Sequence, residues 1–158
     1  MLVVSDTSPI TNLIQIDLLH ILKDVYGQII IPQTVYEELC EIQAQKQLLD
    51  QQSWIHILAA QNTLLVSSLE IELDSGESQS IALSIELNAD FLIIDEIKGR
   101  KKAESMGIKI VGLLGTLLKA KDLGIIPEIK PFIEKLTNEV GFHINPLLKN
   151  RVLEIAGE

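Results

Sequence analysis

The sequence predicts an α/β fold, a three-layer α/β/α sandwich with a mostly parallel central sheet. Three observations predict it. Short apolar runs at 2–5, 28–31, 91–94 and 108–111 are continuous rather than alternating, the pattern of strands covered on both faces. Segments of helical spacing separate these runs, and strands alternating with helices imply right-handed βαβ units with helices on both sides of the sheet. Hydrophobic residues make up 47% of the chain but aromatics only 4%, so the core is built from Leu, Ile and Val. At 158 residues a single domain is expected, residues 1–158, with a core over about 1–125 and C-terminal helices over about 126–156.

In order, residues 2–5 are the first strand. Ser8 is expected as N-cap, with Pro9 at the first helical position, of a helix running to about Ile16. A short helix follows at 18–25, then a strand at 28–31 stopped by Pro32. Val35, Leu39 and Ile42 fall at i, i+4, i+7 and predict a helix over 33–43. Glu38 borders that stripe, whereas Glu37 and Glu41 point away from it. The Gln-rich stretch 44–53 is a solvated helix or loop. Trp54–Leu58 is a short strand, with Trp54 packing rather than binding a ligand. Asp74-Ser75-Gly76-Glu77 opens a helix that includes Ile81, Ala82, Ile85 and Ala89. The strand at 91–94 ends on Asp95-Glu96. Helix 98–106, strand 108–111 and helix 112–123 follow, with Gly124 and Pro127 breaking the last of these. An amphipathic helix at 128–139, a turn at 141–145 and a helix at 145–156 complete the chain.

Several classes are excluded. No apolar run reaches the roughly 18 residues of a membrane span, and no basic-then-apolar leader opens the chain, so a cytoplasmic protein with no membrane partner is expected. The one cysteine, Cys40, forms no internal disulfide and no zinc-finger spacing, and is a small buried hydrophobe. His20, His56 and His143 are too scattered for a histidine-based site. The formal net charge of −9 is unevenly spread: residues 1–97 hold fifteen acids against Lys23 and Lys46, while residues 98–158 hold eleven bases against seven acids. That asymmetry points to a polyanion partner or an acidic/basic subunit contact.

Four carboxylates occupy comparable places. Asp6 ends the first strand, Glu38 borders the inner face of the following helix, Glu77 begins a helix, and Asp95 ends a later strand. Each has a structural explanation taken singly. Asp6 and Asp95 are possible helix caps, Glu38 a salt-bridge partner, and Asp74-x-x-Glu77 a capping box. Taken together they sit on the strand edge where ligands bind in open α/β sheets. Converging carboxylates repel and their pKa values rise unless a cation neutralises them. Mg²⁺ or Mn²⁺ suits such oxygen ligands and promotes phosphodiester hydrolysis. Lys98, Arg100, Lys101 and Lys102 follow Asp95 closely, either as phosphate contacts or as a solvated helix face.

The pieces V-V-S-D-T-S at 3–8, I-P-Q-T-V-Y-E-E-L at 31–39, L-D-S-G-E-S-Q-S-I-A-L at 73–83, L-I-I-D-E-I-K-G-R at 92–100 and I-V-G-L-L-G-T-L-L-K-A-K at 110–121 resemble, in order and spacing, a PIN-domain protein. That nuclease family includes the VapC-like toxins of bacterial toxin–antitoxin pairs, and the sequence is most similar to a largely uncharacterised subfamily carrying the G-E…I-A-L helix. The resemblance covers roughly residues 1–125. It implies an acid set at Asp6, Glu38, Glu77 and Asp95 that binds Mg²⁺ or Mn²⁺ for RNA hydrolysis, with Thr7 or Ser8 as the hydroxyl after the first acid. It also implies a small antitoxin partner and a homodimer. Two positions depart from the family pattern: the third acid is commonly Asp, where this chain offers Glu77 or Asp74, and the usual hydroxyl before the last acid is missing from Leu92-Ile93-Ile94. The expected function is therefore a metal-dependent endoribonuclease, the toxin of a pair. The alternative from another class is a PIN-like module that binds nucleic acid or protein without cutting. An aspartyl-nucleophile phosphatase is disfavoured because Ser8 stands where its second acid is needed, and no phosphate-binding G-x-x-x-x-G-K-[ST] loop is present.

Overall fold

A computed structural model describes residues 1–158. Five strands, β1 (Val3–Ser5), β2 (Ile29–Pro32), β3 (Ile55–Leu58), β4 (Phe91–Ile93) and β5 (Ile110–Val111), form one sheet in the order 3-2-1-4-5. Every pairing is parallel, with Val4 opposite both Ile30 and Leu92. Helices α1 (Thr7–Gln15) and α2 (Ile21–Tyr26) join β1 to β2, and α3 (Gln33–Leu39) and α4 (Gln43–Asp50) join β2 to β3. The return crossover, α5 (Thr63–Leu69) and α6 (Ser75–Glu86), passes β1 to reach β4. Then α7 (Ile97–Ser105) leads to β5, and α8 (Leu113–Asp122), α9 (Lys130–Lys135) and α10 (Pro146–Ala156) close the chain.

Alternation along the central strands builds two cores. Val3, Ile29, Ile31 and Ile93 face a cluster of 25 buried residues shared with α1–α4 and α8–α10. Val4, Leu92 and Ile94 face a cluster of 10, shared with α5, α6 and α7. Each fully buried Leu, Ile or Val contributes about 1.5–3 kcal/mol, which explains why the central strands are continuous apolar runs. The α/β/α sandwich and its parallel sheet are as the sequence predicts. No helix is long and apolar enough to cross a membrane.

The local differences have physical reasons. The helix starting after Pro32 stops at Leu39, because Ile42 takes an extended conformation, is half exposed, and caps the separate helix α4. Helix α5 has no counterpart among the predicted elements. It buries only Val66 and Leu69, leaves Leu64 84% exposed, and is fixed by Asn62 Oδ1 accepting from the Leu65 N–H at 3.1 Å. The predicted 128–139 helix is α9 continued by a π turn at Leu136–Val140, ended by Gly141 at φ 77°. Ser8 is not an N-cap: α1 begins two residues earlier than expected, at Thr7, with Asp6 in the cap position. Trp54 packs as expected, 7% exposed with its indole N–H on Gln52.

Candidate active site

In the order 3-2-1-4-5 the chain leaves β1 toward one edge of the sheet and later returns to its other side at β4. A crevice therefore opens above the carboxyl ends of β1 and β4, where open α/β sheets bind ligands. Asp6 follows β1 directly, and its backbone N–H still pairs with the Ile93 carbonyl at 3.0 Å. Its side chain occupies an N-cap position yet makes no capping hydrogen bond, so the carboxylate remains available to the crevice.

Two other acids reach the same place from different layers. Glu38 lies in the last turn of α3, and Glu77 in the first turn of α6. Gly76 permits the approach. A Cβ there would stand 2.9 Å from both Glu38 carboxylate oxygens and 3.3 Å from Asp6 Oδ1. The Thr7 hydroxyl donates to Glu38 Oε2, tying the start of α1 to α3. Asp74 Oδ1 accepts from the Glu77 N–H at 2.8 Å, the expected half of a capping box. Glu77 is thus both a helix-start acid and a member of the cluster. The resulting cleft of about 390 Å³ has no hydrophobic lining residue.

Asp74 and Glu96 complete the ring of acids, and Ser8, Thr11 and Asn12 form its polar wall. None of the five acids lining the cleft is in a salt bridge. Burial of Asp6, only 4% exposed, pushes its pKa up to about 7. The Thr7 backbone N–H partly offsets this, and Asp74, Glu77 and Glu38 add repulsion. Glu77 is raised by burial first and then by Asp74, with the Asp74 backbone opposing and Glu96 adding to the rise.

Asp95 stands outside that lining. Its Oδ1 accepts from the Leu113 N–H at 2.9 Å, so it ties the end of β4 to the start of α8 rather than capping α7, whose N-cap is Glu96. Its Oδ2 is buried without a partner. Burial raises its pKa, while the Leu113 N–H and the Arg100 guanidinium lower it. Arg100 is half-buried and donates to the Ile94 carbonyl at 2.8 Å, which places it beside Asp95 and not on an open surface. Lys98 is exposed and lines a neighbouring groove with Lys101 and Lys102. The structure therefore brings Asp6, Thr7, Ser8, Glu38 and Glu77 together, and leaves Asp95, Arg100 and Lys98 around them. The sequence reading did not give Glu96, Thr11 and Asn12 a place in the site. The signal for the last two was the polar i, i+3, i+4 spacing of Ser8, Thr11 and Asn12 on one side of a helix.

No three acidic, histidine or cysteine side chains stand in a geometry that chelates one ion directly. A hard divalent cation needs less, because Mg²⁺ is held by one or two carboxylates with waters and substrate phosphates. The residues present fit such an ion: five carboxylates with no basic partner, three hydroxyls and one amide line the cleft, and the Asp95 Oδ2 outside it is orphaned.

No curated protein matches the chain. A family model described as a PIN domain matches residues 2–158, through the C-terminal helices as well as the sheet. A strand order that opens a crevice at β1, an acid at that strand's end and that match all agree: the chain belongs to the PIN-domain family, whose members are generally nucleases that use divalent metal ions.

Proposed function

We propose that the protein is an endoribonuclease that hydrolyses RNA phosphodiester bonds with Mg²⁺ or Mn²⁺, and that it acts as the toxin of a toxin–antitoxin pair in the cytoplasm. The observation that carries the reading is the convergence of Asp6, Glu38 and Glu77, from three separate elements, on one cleft without any basic partner. In this reading Asp6, Glu38 and Glu77 hold the cation, and Asp95 supplies its free oxygen to the same region. A bound divalent ion would neutralise the phosphate charge and acidify a water.

The chain's own residues do the rest. Thr7 orients Glu38 through its hydroxyl. Gly76 keeps the acids close by presenting no side chain. Ser8, whose hydroxyl is buried without a partner, is placed to donate to a substrate oxygen, while the Thr7 proton is already committed to Glu38. Arg100 opposes the rise that burial causes in the Asp95 pKa, and Lys98 meets a flanking phosphate. Water attacks phosphorus in line, the P–O bond to the leaving group breaks, and no covalent enzyme intermediate forms. The toxin role, the small antitoxin that covers the cleft and the homodimer rest on the family resemblance.

A second reading, a PIN-like module that binds without cutting, draws support from the absence of a ready three-ligand cage and from Asp95 being held by Leu113. Purified protein incubated with a structured RNA pool, with Mg²⁺ or Mn²⁺ and with EDTA, separates the two. Metal-dependent cutting that is lost in Asp6→Asn supports the nuclease. Absence of both cutting and Mn²⁺ binding by calorimetry leaves the binding module.

A further inference from the structure

Beside the acid cleft lies a groove of about 580 Å³, walled on one side by helix α7 and on the other by the turn that carries Ile71, Glu72 and Leu73. Lys98, Lys101 and Lys102 project into it from one face of α7, at i, i+3, i+4 spacing. The linings of the groove and the cleft follow each other along the chain on both walls. Leu73 lines the groove and the next residue, Asp74, lines the cleft, while Glu96 lines the cleft and Lys98, two residues on, lines the groove.

We infer that this groove is a lane for single-stranded nucleic acid, in which α7 holds the backbone phosphates of the strand that enters the acid cleft. The inference deepens the nuclease reading and rests on it for the strand's destination. The cleft by itself repels phosphate, since five acids line it without a base. Net attraction has to come from outside it, and the lysines begin where the acids end. Lys98 and Lys102 are about 6 Å apart along the helix axis, within reach of neighbouring phosphates for long, flexible side chains. Their only ionic contact is Lys102 with Glu72 at 3.9 Å across the groove. Both side chains are well exposed, so the contact opens at little cost. Ile71, 85% exposed on the turn, offers an apolar surface to a base. Nonspecific strand binding combines such backbone attraction with surfaces for base faces. A duplex presents no free base face to such a surface.

The test is fluorescence anisotropy of a labelled short single-stranded RNA in EDTA, so that binding is read without cleavage. The Lys101→Gln/Lys102→Gln protein is compared with wild type from about 50 to 200 mM salt. Each phosphate contact on a single strand contributes about 0.7 to the slope of log affinity against log salt. The double variant is expected to bind more weakly and to lose about 1.4 from that slope. A control with the same charge change elsewhere, Lys23→Gln/Lys130→Gln, is expected to keep most of it. An unchanged slope in the groove variant, or an equal loss in the control, overturns the inference. So does equal lysine-dependent binding of duplex RNA, or of a polyglutamate peptide, which would make the groove a site for a duplex or an acidic protein. Lysine-dependent strand binding by a protein that never cuts RNA keeps the lane and removes the nuclease. Cutting with an unaltered slope does the reverse.

Discussion

Replacing Asp6 by asparagine is expected to make the metal-free protein more stable, with a size that depends on pH. Asp6 is 4% exposed and burial lifts its pKa from 3.8 to about 7. The folded chain therefore keeps a proton that the unfolded chain releases between about pH 4 and pH 7. Stability falls as pH rises through that window, and the full penalty applies above it. About three pKa units at about 1.4 kcal/mol each set a ceiling near 4 kcal/mol. The asparagine amide must itself be desolvated, so about half of this, about 2 kcal/mol, is the expected gain at pH 8. For a chain of this length that is about 4–8 °C in Tm. The assay is thermal unfolding of both proteins in EDTA at steps from pH 4 to pH 8. The gain should shrink steadily below pH 7 and turn into a loss of about 1–2 kcal/mol at pH 4, where mainly the cost of the amide remains. Glu77 and Asp95 also have raised pKa values, so the variant keeps a residual slope of the same sign. Equal stability at pH 8, or a gain as large at pH 4 as at pH 8, would refute a buried charge as the cause. Added Mn²⁺ should raise the Tm of wild type through mass action and leave that of the variant nearly unmoved.

Gly76→Ala puts a methyl 2.9 Å from both Glu38 oxygens, which are the free end of a flexible side chain. The protein should fold with Tm unchanged or slightly raised, while RNA cleavage drops by about tenfold or more as Glu38 is displaced. Arg100→Gln removes the charged donor to the Ile94 carbonyl and the counter-charge beside Asp95. Urea unfolding should show a loss of about 1–3 kcal/mol. Tyr26→Phe leaves the Thr116 hydroxyl, fully buried and 2.8 Å from the phenol, without its partner. It should cost about 1 kcal/mol of stability in the same assay and leave cleavage rates intact.

The sheet is legible in the sequence because Val3-Val4, Ile29-Ile30-Ile31 and Leu92-Ile93-Ile94 must be apolar on both faces, a demand that few other arrangements make. Asp6 is legible for the same reason, as the first charge after such a run. Glu38 and Glu77 are legible through helix position, one beside an apolar stripe and the other in a first turn. What is not legible is side-chain direction at a strand end. Asp95 and Glu96 are adjacent acids, and only the approach of α8, which offers the Leu113 N–H, turns Asp95 toward that helix while Glu96 lines the cleft. Arg100 reads as a surface base in a run of lysines, but a backbone carbonyl six residues earlier draws it inward. Helix α5 escapes because two buried residues make no periodicity. Ser8 next to Pro9 looks like a helix start, yet the parallel ladder hands Asp6 straight into α1 two residues sooner.

The unequal cores give the acid cluster a further property. Asp74, Glu77 and Glu96 belong to the layer built on 10 buried residues, whereas Asp6 and Glu38 belong to the side built on 25. The thinner layer has less burial holding it and opens at lower free energy, so its amides should exchange with solvent ahead of those beneath α1 and α8. Carboxylates facing each other across that seam push the layers apart. Any cation that joins them acts as a staple, and its binding energy becomes resistance to opening of α5, α6 and α7. Occupancy of the site would then be readable away from it, as slowed exchange along α5, which carries none of the acids.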